Sequence, residues 1–306
     1  WKNLAAAVCD GVRFLDDLID ANAYPLEEIR HITLANRKIG LGVMGFADLL
    51  VELDLAYDEP AALAFADELA AFVARESVGA SERLAKTRGA FPNFSNSRWS
   101  AAGAAPLRNA TTTTVAPTGT LSILAGCSSG IEPLYAVAFT RRVLDGHELF
   151  ELNPRFERLA KKRGVFSSEL RKEVVRTGKA RGLSGVPGDL ARLFPTAHDV
   201  PASVHVRMQA AFQKHTHAAV SKTVNLPAQA SADDVRAVVE LAYELGCKGV
   251  TVFRDRSRQT QVLVTGAAAP ESPIRQVPAC PECATDLAGG PACWACRACG
   301  WSRCGT

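Results

Sequence analysis

The chain has 306 residues, enough for one large domain or two ordinary ones, and 47% are hydrophobic against 22% charged, the balance of a globular protein. No apolar run approaches the roughly 18–20 residues of a membrane span, and a net charge of +3 is too small to argue for nucleic acid. The opening residues, Trp1-Lys2-Asn3-Leu4, have the character of neither an initiator nor a signal peptide, and predict that the sequence continues upstream.

Leu4, Val8, Val12, Leu15 and Ile19 recur every three or four residues, which predicts an amphipathic helix over 4–21, stopped by Asn22 and Pro25. Its Asp16, Asp17 and Asp20 are expected on a solvated face. A short helix over 27–38 should lead into Ile39-Gly40-Leu41-Gly42-Val43-Met44-Gly45, a buried strand or turn where backbones approach closely. These glycines lack the spacing of a dinucleotide fingerprint. Residues 60–87 predict a helix with Pro60 in its first turn. Thr111 to Val115 is a β-branched run, hence a strand. Residues 201–219 and 231–245 predict helices, the second capped by Ser231, and 221–226 and 248–254 predict strands. Strand, helix, strand in that order implies parallel pairing and an α/β fold. Residues 265–279, with three prolines, read as a flexible linker.

Of the nine cysteines, Cys9, Cys127 and Cys247 are isolated and read as packing residues, whereas six crowd into the last stretch. That distribution is not a secreted disulfide framework and predicts a reducing cytoplasm. Cys280-Pro281-Glu282-Cys283 and Cys296-Arg297-Ala298-Cys299-Gly300 are two knuckles whose four thiolates can close a tetrahedral zinc site of the ribbon type. Cys293-x-x-Cys296 overlaps the second knuckle, so the ligand choice stays open. Gly300 favours Cys280, Cys283, Cys296 and Cys299. A module of 27 residues buries too little core alone, so metal would supply its folding energy.

Between Pro117 and the helix starting near Leu121, a small-residue turn offers backbone N–H groups and the hydroxyls of Thr118 and Thr120 to an anion, with Gly119 admitting it closely. By pattern alone such a turn is ordinary α/β punctuation. The stretch Asn109 to Pro133 resembles the substrate-phosphate loop region of the adenosylcobalamin (vitamin B12)-dependent, class II ribonucleotide reductases. Gly40 to Leu50, His205 to Pro227 and Leu241 to Arg258 resemble the same family in the same order.

The resemblance implies that residues 1–264 form the C-terminal part of a ten-stranded α/β barrel, followed by the linker 265–279 and a cysteine-rich tail, 280–306. It implies that Pro117, Thr118, Gly119, Thr120 and Leu121 hold nucleotide phosphates. It also implies that Cys293 and Cys304 are a redox pair carrying electrons from a thioredoxin- or glutaredoxin-like donor, tethered by the linker. The family's radical cysteine lies in an Asn-x-Cys-x-Glu motif that this sequence does not contain, so it is expected before Trp1. The chain alone should therefore be inactive. Where the family has an acid and an amide, this chain has His217 and Ala218. The iron-dependent large subunits carry adjacent tyrosines where this chain reads Val250-Thr251-Val252-Phe253, which favours the cobalamin class. The rival reading is a zinc-ribbon protein binding nucleic acid or a partner. Against it, the ribbon has only Arg297 and Arg303 and no basic, aromatic-interleaved face, so neither direct DNA binding nor a membrane role is expected. The oligomeric state stays open, a homodimer included. His205, His215 and Lys222 carry no assigned role.

Overall fold

The computed structural model describes residues 1–142, 148–257, 282–283, 288–290, 293–296 and 298–304. Thus the linker 265–279 and Cys280 lie outside the described residues. The chain divides into two compact units, Trp1–Thr265 and Gly266–Thr306.

In the first unit α1 (Lys2–Ala21) packs against α4 (Pro60–Arg88), with α2 (Glu27–Asn36) and α3 (Phe46–Glu52) between them in sequence. The α1 stripe buries Val8, Val12 and Ile19, as the spacing predicts. Asp16 falls on the same stripe and is fully buried, which corrects the expectation of a solvated face. Its carboxylate accepts hydrogen bonds from Arg37 Nε at 2.9 Å, Asn109 Nδ2 at 3.0 Å, Arg88 at 3.0 Å and Arg108 Nε at 3.2 Å. One acid thus ties α1 to the ends of α2 and α4 and to the chain entering the central strands. A buried carboxylate is tolerated only when so paired.

The sheet is built from short parallel segments. Ile39 to Leu41 runs beside 111–114 through Ile39 N to Thr111 O (3.1 Å), Leu41 N to Thr112 O (2.8 Å) and Thr114 N to Leu41 O (3.0 Å). On its other side 113–115 meets 218–221, and β3 (Thr223–Leu226) pairs in parallel with β4 (Thr251–Arg254). The β3–β4 crossover is α11 (Ala232–Glu244), begun by a capping box of Ser231 and Asp234. The α/β reading therefore holds. The predicted strand 111–115 exists only as isolated bridges from Thr113 to Leu41 and from Val115 to Val220. Its Thr112 N–H bonds to His217 Nδ1 (3.1 Å) instead of to a neighbouring strand, which interrupts the ladder.

The glycines of 40–42 are required by this approach: a Cβ on Gly42 would lie 2.5 Å from the Thr114 carbonyl oxygen.

The helix expected over 201–219 stops early, as α10 (Ala202–Gln213). Gln213 Nε2 donates to the Thr216 and Ala218 carbonyls (3.2 and 3.0 Å), turning the chain into the strand beside Thr113. Sequence periodicity left residues 134–200 unread. They hold a hairpin of β1 (Ala138–Arg142) and β2 (Glu148–Leu152), then helices α7 (Pro154–Lys162), α8 (Ser168–Thr177) and α9 (Gly188–Arg192). The core beneath them is aromatic, with Phe156 edge-on to Phe194 and Phe46 edge-on to Phe212. No helix among the described residues is long and apolar enough to cross a membrane.

Two measurements check this account. Gly42→Ala should cost about 1–3 kcal/mol in chemical denaturation through overpacking, whereas Gly119→Ala, where a Cβ meets nothing within 4 Å, should cost nothing measurable. Burial pushes the Asp16 carboxyl up, but hydrogen bonds and charge from Arg37, with Asn109 and Arg108, outweigh it and hold the group below 3.8. Its stabilising contribution is then complete above that value and lost as pH falls through the lowered one. Asp16→Asn should flatten the loss of stability below about pH 4.

Candidate active-site loop and cysteine cluster

Pro117 to Leu121 lies where the central segment 111–115 leaves the sheet. Pro117, Gly119, Thr120 and Leu121 are exposed, and α6 (Gly119–Ala125) starts there. Its first-turn N–H groups have no intrahelical acceptor. Thr118 takes the left-handed conformation, φ 52° and ψ 28°, which a β-branched residue adopts only under constraint. The constraint is visible. Thr118 Oγ1 accepts from Gly130 N at 2.7 Å, and Ser129 Oγ donates to Pro117 O at 2.8 Å. The returning limb is then stitched to α3, with Asp48 Oδ2 accepting from Ser128 N at 2.6 Å, and Tyr57 Oη donates to Ile131 O at 2.6 Å. The five residues expected to contact phosphate thus form one exposed turn held in a strained shape from beneath.

Glu132 closes this loop, and here sequence reasoning missed the chemistry. Its Oε2 meets Lys222 Nζ at 2.5 Å and its Oε1 accepts from Thr223 N at 2.7 Å. The Lys222 side chain has no exposed surface. Its ammonium also donates to Thr223 O (2.6 Å) and to His205 Nδ1 (2.7 Å), while His205 Nε2 meets Ala197 O at 3.0 Å. Since lysine only donates, Nδ1 must accept and Nε2 must carry the ring proton. Burial, with the Lys222 charge beside it, pushes His205 down to about 3, so the ring stays neutral. Burial likewise lowers Lys222, opposed by Glu132.

The other singled-out residues fall elsewhere. His217 accepts from Thr112 N, sits edge-on to Trp99 at 5.3 Å, and is pushed down to about 4 by burial and then by Arg98 and Lys248. Its imidazole therefore acts as a neutral hydrogen-bond acceptor. Cys9 accepts from Arg83 at 2.8 Å, and burial raises Cys127 and Cys247. All three belong to the larger unit.

In the second unit, Cys283, Cys296 and Cys299 bring their sulfurs within 4.8 Å of one another, with Cys283 Sγ and Cys296 Sγ 3.4 Å apart. A tetrahedral zinc thiolate site places its sulfurs about 3.8 Å apart, so the geometry fits a metal of that kind. Three of the four expected ligands converge, while the fourth, Cys280, is outside the described residues. The Cys296–Cys299 knuckle lies between β6 (Cys293–Ala295) and β7 (Ser302–Cys304), which pair antiparallel after β5 (Ala288–Gly290). Cys296 N donates to Trp301 O and Gly300 N to Cys296 O. In that register the backbones of Cys293 and Cys304 are direct partners.

A family profile described as "Ribonucleotide reductase, barrel domain" matches residues 1–253. The chain belongs to the ribonucleotide reductase family. It is 45% identical over 273 residues to a vitamin B12-dependent ribonucleoside-diphosphate reductase of Thermoplasma acidophilum, covering 89% of this chain and 35% of the relative. It is 48% identical over 270 residues to one from Mycobacterium tuberculosis, covering 88% and 39%. The chain thus spans well under half the length of these relatives. Among solved structures, the class Id ribonucleotide reductase α subunit of Actinobacillus ureae has a TM-score of 0.70 at 22% identity, covering 83% of this chain and 47% of that one, a likeness of fold.

Metal analysis separates the ligand sets. Cys296→Ser should abolish zinc binding under reducing conditions, whereas Cys293→Ser should keep about one zinc per chain. Loss of zinc in both variants would move the site to the overlapping Cys293-x-x-Cys296 pair.

Proposed function

We propose that this chain supplies the substrate-phosphate loop and the reducing tail of a cytoplasmic, vitamin B12-dependent ribonucleotide reductase acting on ribonucleoside diphosphates. The observation that carries the proposal is the strained, exposed turn at Thr118, over a barrel-family scaffold whose high-identity relatives are named for that reaction. Exposed first-turn N–H groups and the Thr118 and Thr120 side chains suit a diphosphate, whose charge a helix start stabilises. Strain held by the protein means the turn does not have to be ordered by the nucleotide.

Adenosylcobalamin would supply the radical in such an enzyme. A hollow of about 410 Å³ bordered by Ala202, Leu226 and Leu241 is mainly apolar, and the described residues mark no corrin seat, so that assignment rests on the relatives. The Asn-x-Cys-x-Glu motif of the family's radical-bearing cysteine is not among these 306 residues. In such an enzyme a thiyl radical would take the 3′ hydrogen and later return it, and a cysteine pair would reduce the 2′ carbon as water leaves. The resulting disulfide accepts electrons by thiol exchange from Cys293 and Cys304, recharged by a thioredoxin-like donor. Their backbone pairing across β6 and β7 supports a dithiol at that place, and the converging Cys283, Cys296 and Cys299 support zinc as the staple of the tail. The relatives' nucleotide chemistry weighs against a nucleic-acid-binding ribbon. A homodimer is consistent with this enzyme class.

In the full-length reductase, Gly119→Val should raise KM for a ribonucleoside diphosphate at least about tenfold, equivalent to about 1.4 kcal/mol of binding. Cys293→Ser with Cys304→Ser should lose turnover driven by thioredoxin while retaining turnover driven by dithiothreitol. Unchanged KM in the first variant removes the phosphate role, and unchanged thioredoxin turnover in the second removes the redox pair.

A further inference from the structure

The three residues Ser221, Lys222 and Thr223 touch both ends of the loop that leaves the sheet at Val115 and returns at Glu132. On the outgoing side, Ser221 N donates to Val115 O at 2.8 Å. On the returning side, Lys222 Nζ and Thr223 N hold the two oxygens of Glu132, at 2.5 and 2.7 Å. Two residues before Glu132, Gly130 N donates to Thr118 Oγ1, the contact that holds Thr118 left-handed. The chain of contacts from buried ammonium to exposed turn is therefore short and made of directional bonds.

We propose that Lys222 is a positioning residue for the phosphate-binding turn: through Glu132 it fixes the returning limb against the same strand that anchors the outgoing limb, and so sets the conformation of Thr118 and Gly119.

This rests on the phosphate-loop reading above and deepens it. A purely structural reading of Lys222 explains less. The position lies among Val220, Val224 and Leu226, all buried on the same parity of the strand, where an aliphatic side chain would pack without any charge to compensate. The site is also completed from several directions. His205, on α10, offers an acceptor and is locked into the matching tautomer by Ala197 O, so the ammonium is aimed at Glu132 by two further acceptors, the His205 ring and the Thr223 carbonyl. Glu132 is the partner that reaches the surface, with 23% of its side chain exposed, whereas Lys222 is sealed. The hydrogen bonds of the Lys222 ammonium go to Glu132, His205 and Thr223, so the route from it to the turn runs through Glu132.

The test uses the full-length reductase carrying Lys222→Met, and Lys222→Met with Glu132→Gln, the latter leaving no unpaired buried charge if the former fails to fold. Hydrogen exchange of the amides from Gly119 to Gly130 is read alongside kcat and KM for a ribonucleoside diphosphate, with Gly119→Val as reference. Exchange at least about tenfold faster in that segment, with KM raised about tenfold and kcat changed by less than about threefold, is the expected result. Unchanged exchange in the folded variants overturns the proposal, as does a fall in kcat with KM unaltered. If Gly119→Val raises KM and the Lys222 variants do not, the positioning role falls and the phosphate-loop reading stands. If Gly119→Val leaves KM unchanged, the phosphate-loop reading itself falls, and with it the function assigned to Lys222.

Discussion

Burying charge is the constraint around which the larger unit is organised. Taking an ion out of water costs several kcal/mol unless its partners are complete, and two of this unit's buried ions, Asp16 and Lys222, draw those partners from several segments. Asp16 gathers Arg37, Arg88, Arg108 and Asn109 where α1, α2, α4 and the entry to the central strands converge. Lys222 gathers Glu132, His205 and the Thr223 carbonyl where the loop returns to the sheet. Each ion can be satisfied only when several distant segments are simultaneously in place, so each penalises any arrangement lacking one of them. The apolar core, with Phe46, Phe156, Phe194 and Phe212, provides the bulk of the driving force. The charges select among the ways such a core can pack.

The exposed turn at 117–121 is linked to the second of these sites through Glu132 and Gly130, and stands apart from the core. Its Pro117, Thr120 and Leu121 side chains are exposed, and Leu121 and the following Leu124 face solvent at 56% and 81%. A turn without buried apolar surface has little to hold it in the left-handed conformation seen at Thr118, and polar stitches from Gly130, Ser129, Ser128 and Asp48 replace that burial. Hydrogen bonds of this kind contribute about 0.5–1.5 kcal/mol each. Several in concert are needed to hold a residue whose backbone costs about 1–3 kcal/mol.

How far the sequence reveals this differs between fold and site. Helices with a clean apolar stripe or a cap, such as α1, α4 and α11, are legible because their signals are local. Residues 134–200 are not, since their short helices and hairpin are defined by burial against a core assembled from elsewhere. The helix expected to reach Ala219 ends at Gln213 because the Gln213 side-chain amide takes the Thr216 and Ala218 carbonyls, while Thr113 accepts from the His217 and Ala218 N–H groups. The turn at 117–121 shows as a resemblance and only weakly as a pattern. Lys222 did leave a physical signature: along Val220, Lys222, Val224 and Leu226 a lysine occupies an inward position of an alternating strand. Asp16 does the same on the helical stripe of Val8, Val12 and Ile19. An ion on a core parity demands a partner, and that demand is readable in the sequence even when the partner's identity, Glu132 or Arg37, is decided by tertiary contacts about 90 and 21 residues away.

The second unit meets a different limit. It spans only Gly266–Thr306, and Cys296 is buried in it. A chain of this size gains too little from burial to offset the entropy of ordering it. What the described residues do provide is a knuckle between β6 and β7, with three sulfurs gathered around one point. A metal there would fix the turn, and in a two-residue-periodic hairpin the turn fixes the register. A shift of one residue would take Cys304 away from Cys293, its partner across the strands. Thus the three converging cysteines and the cross-strand pair Cys293 and Cys304 are coupled through the hairpin itself, and under the proposed function a metal held by the first would set the geometry of the second.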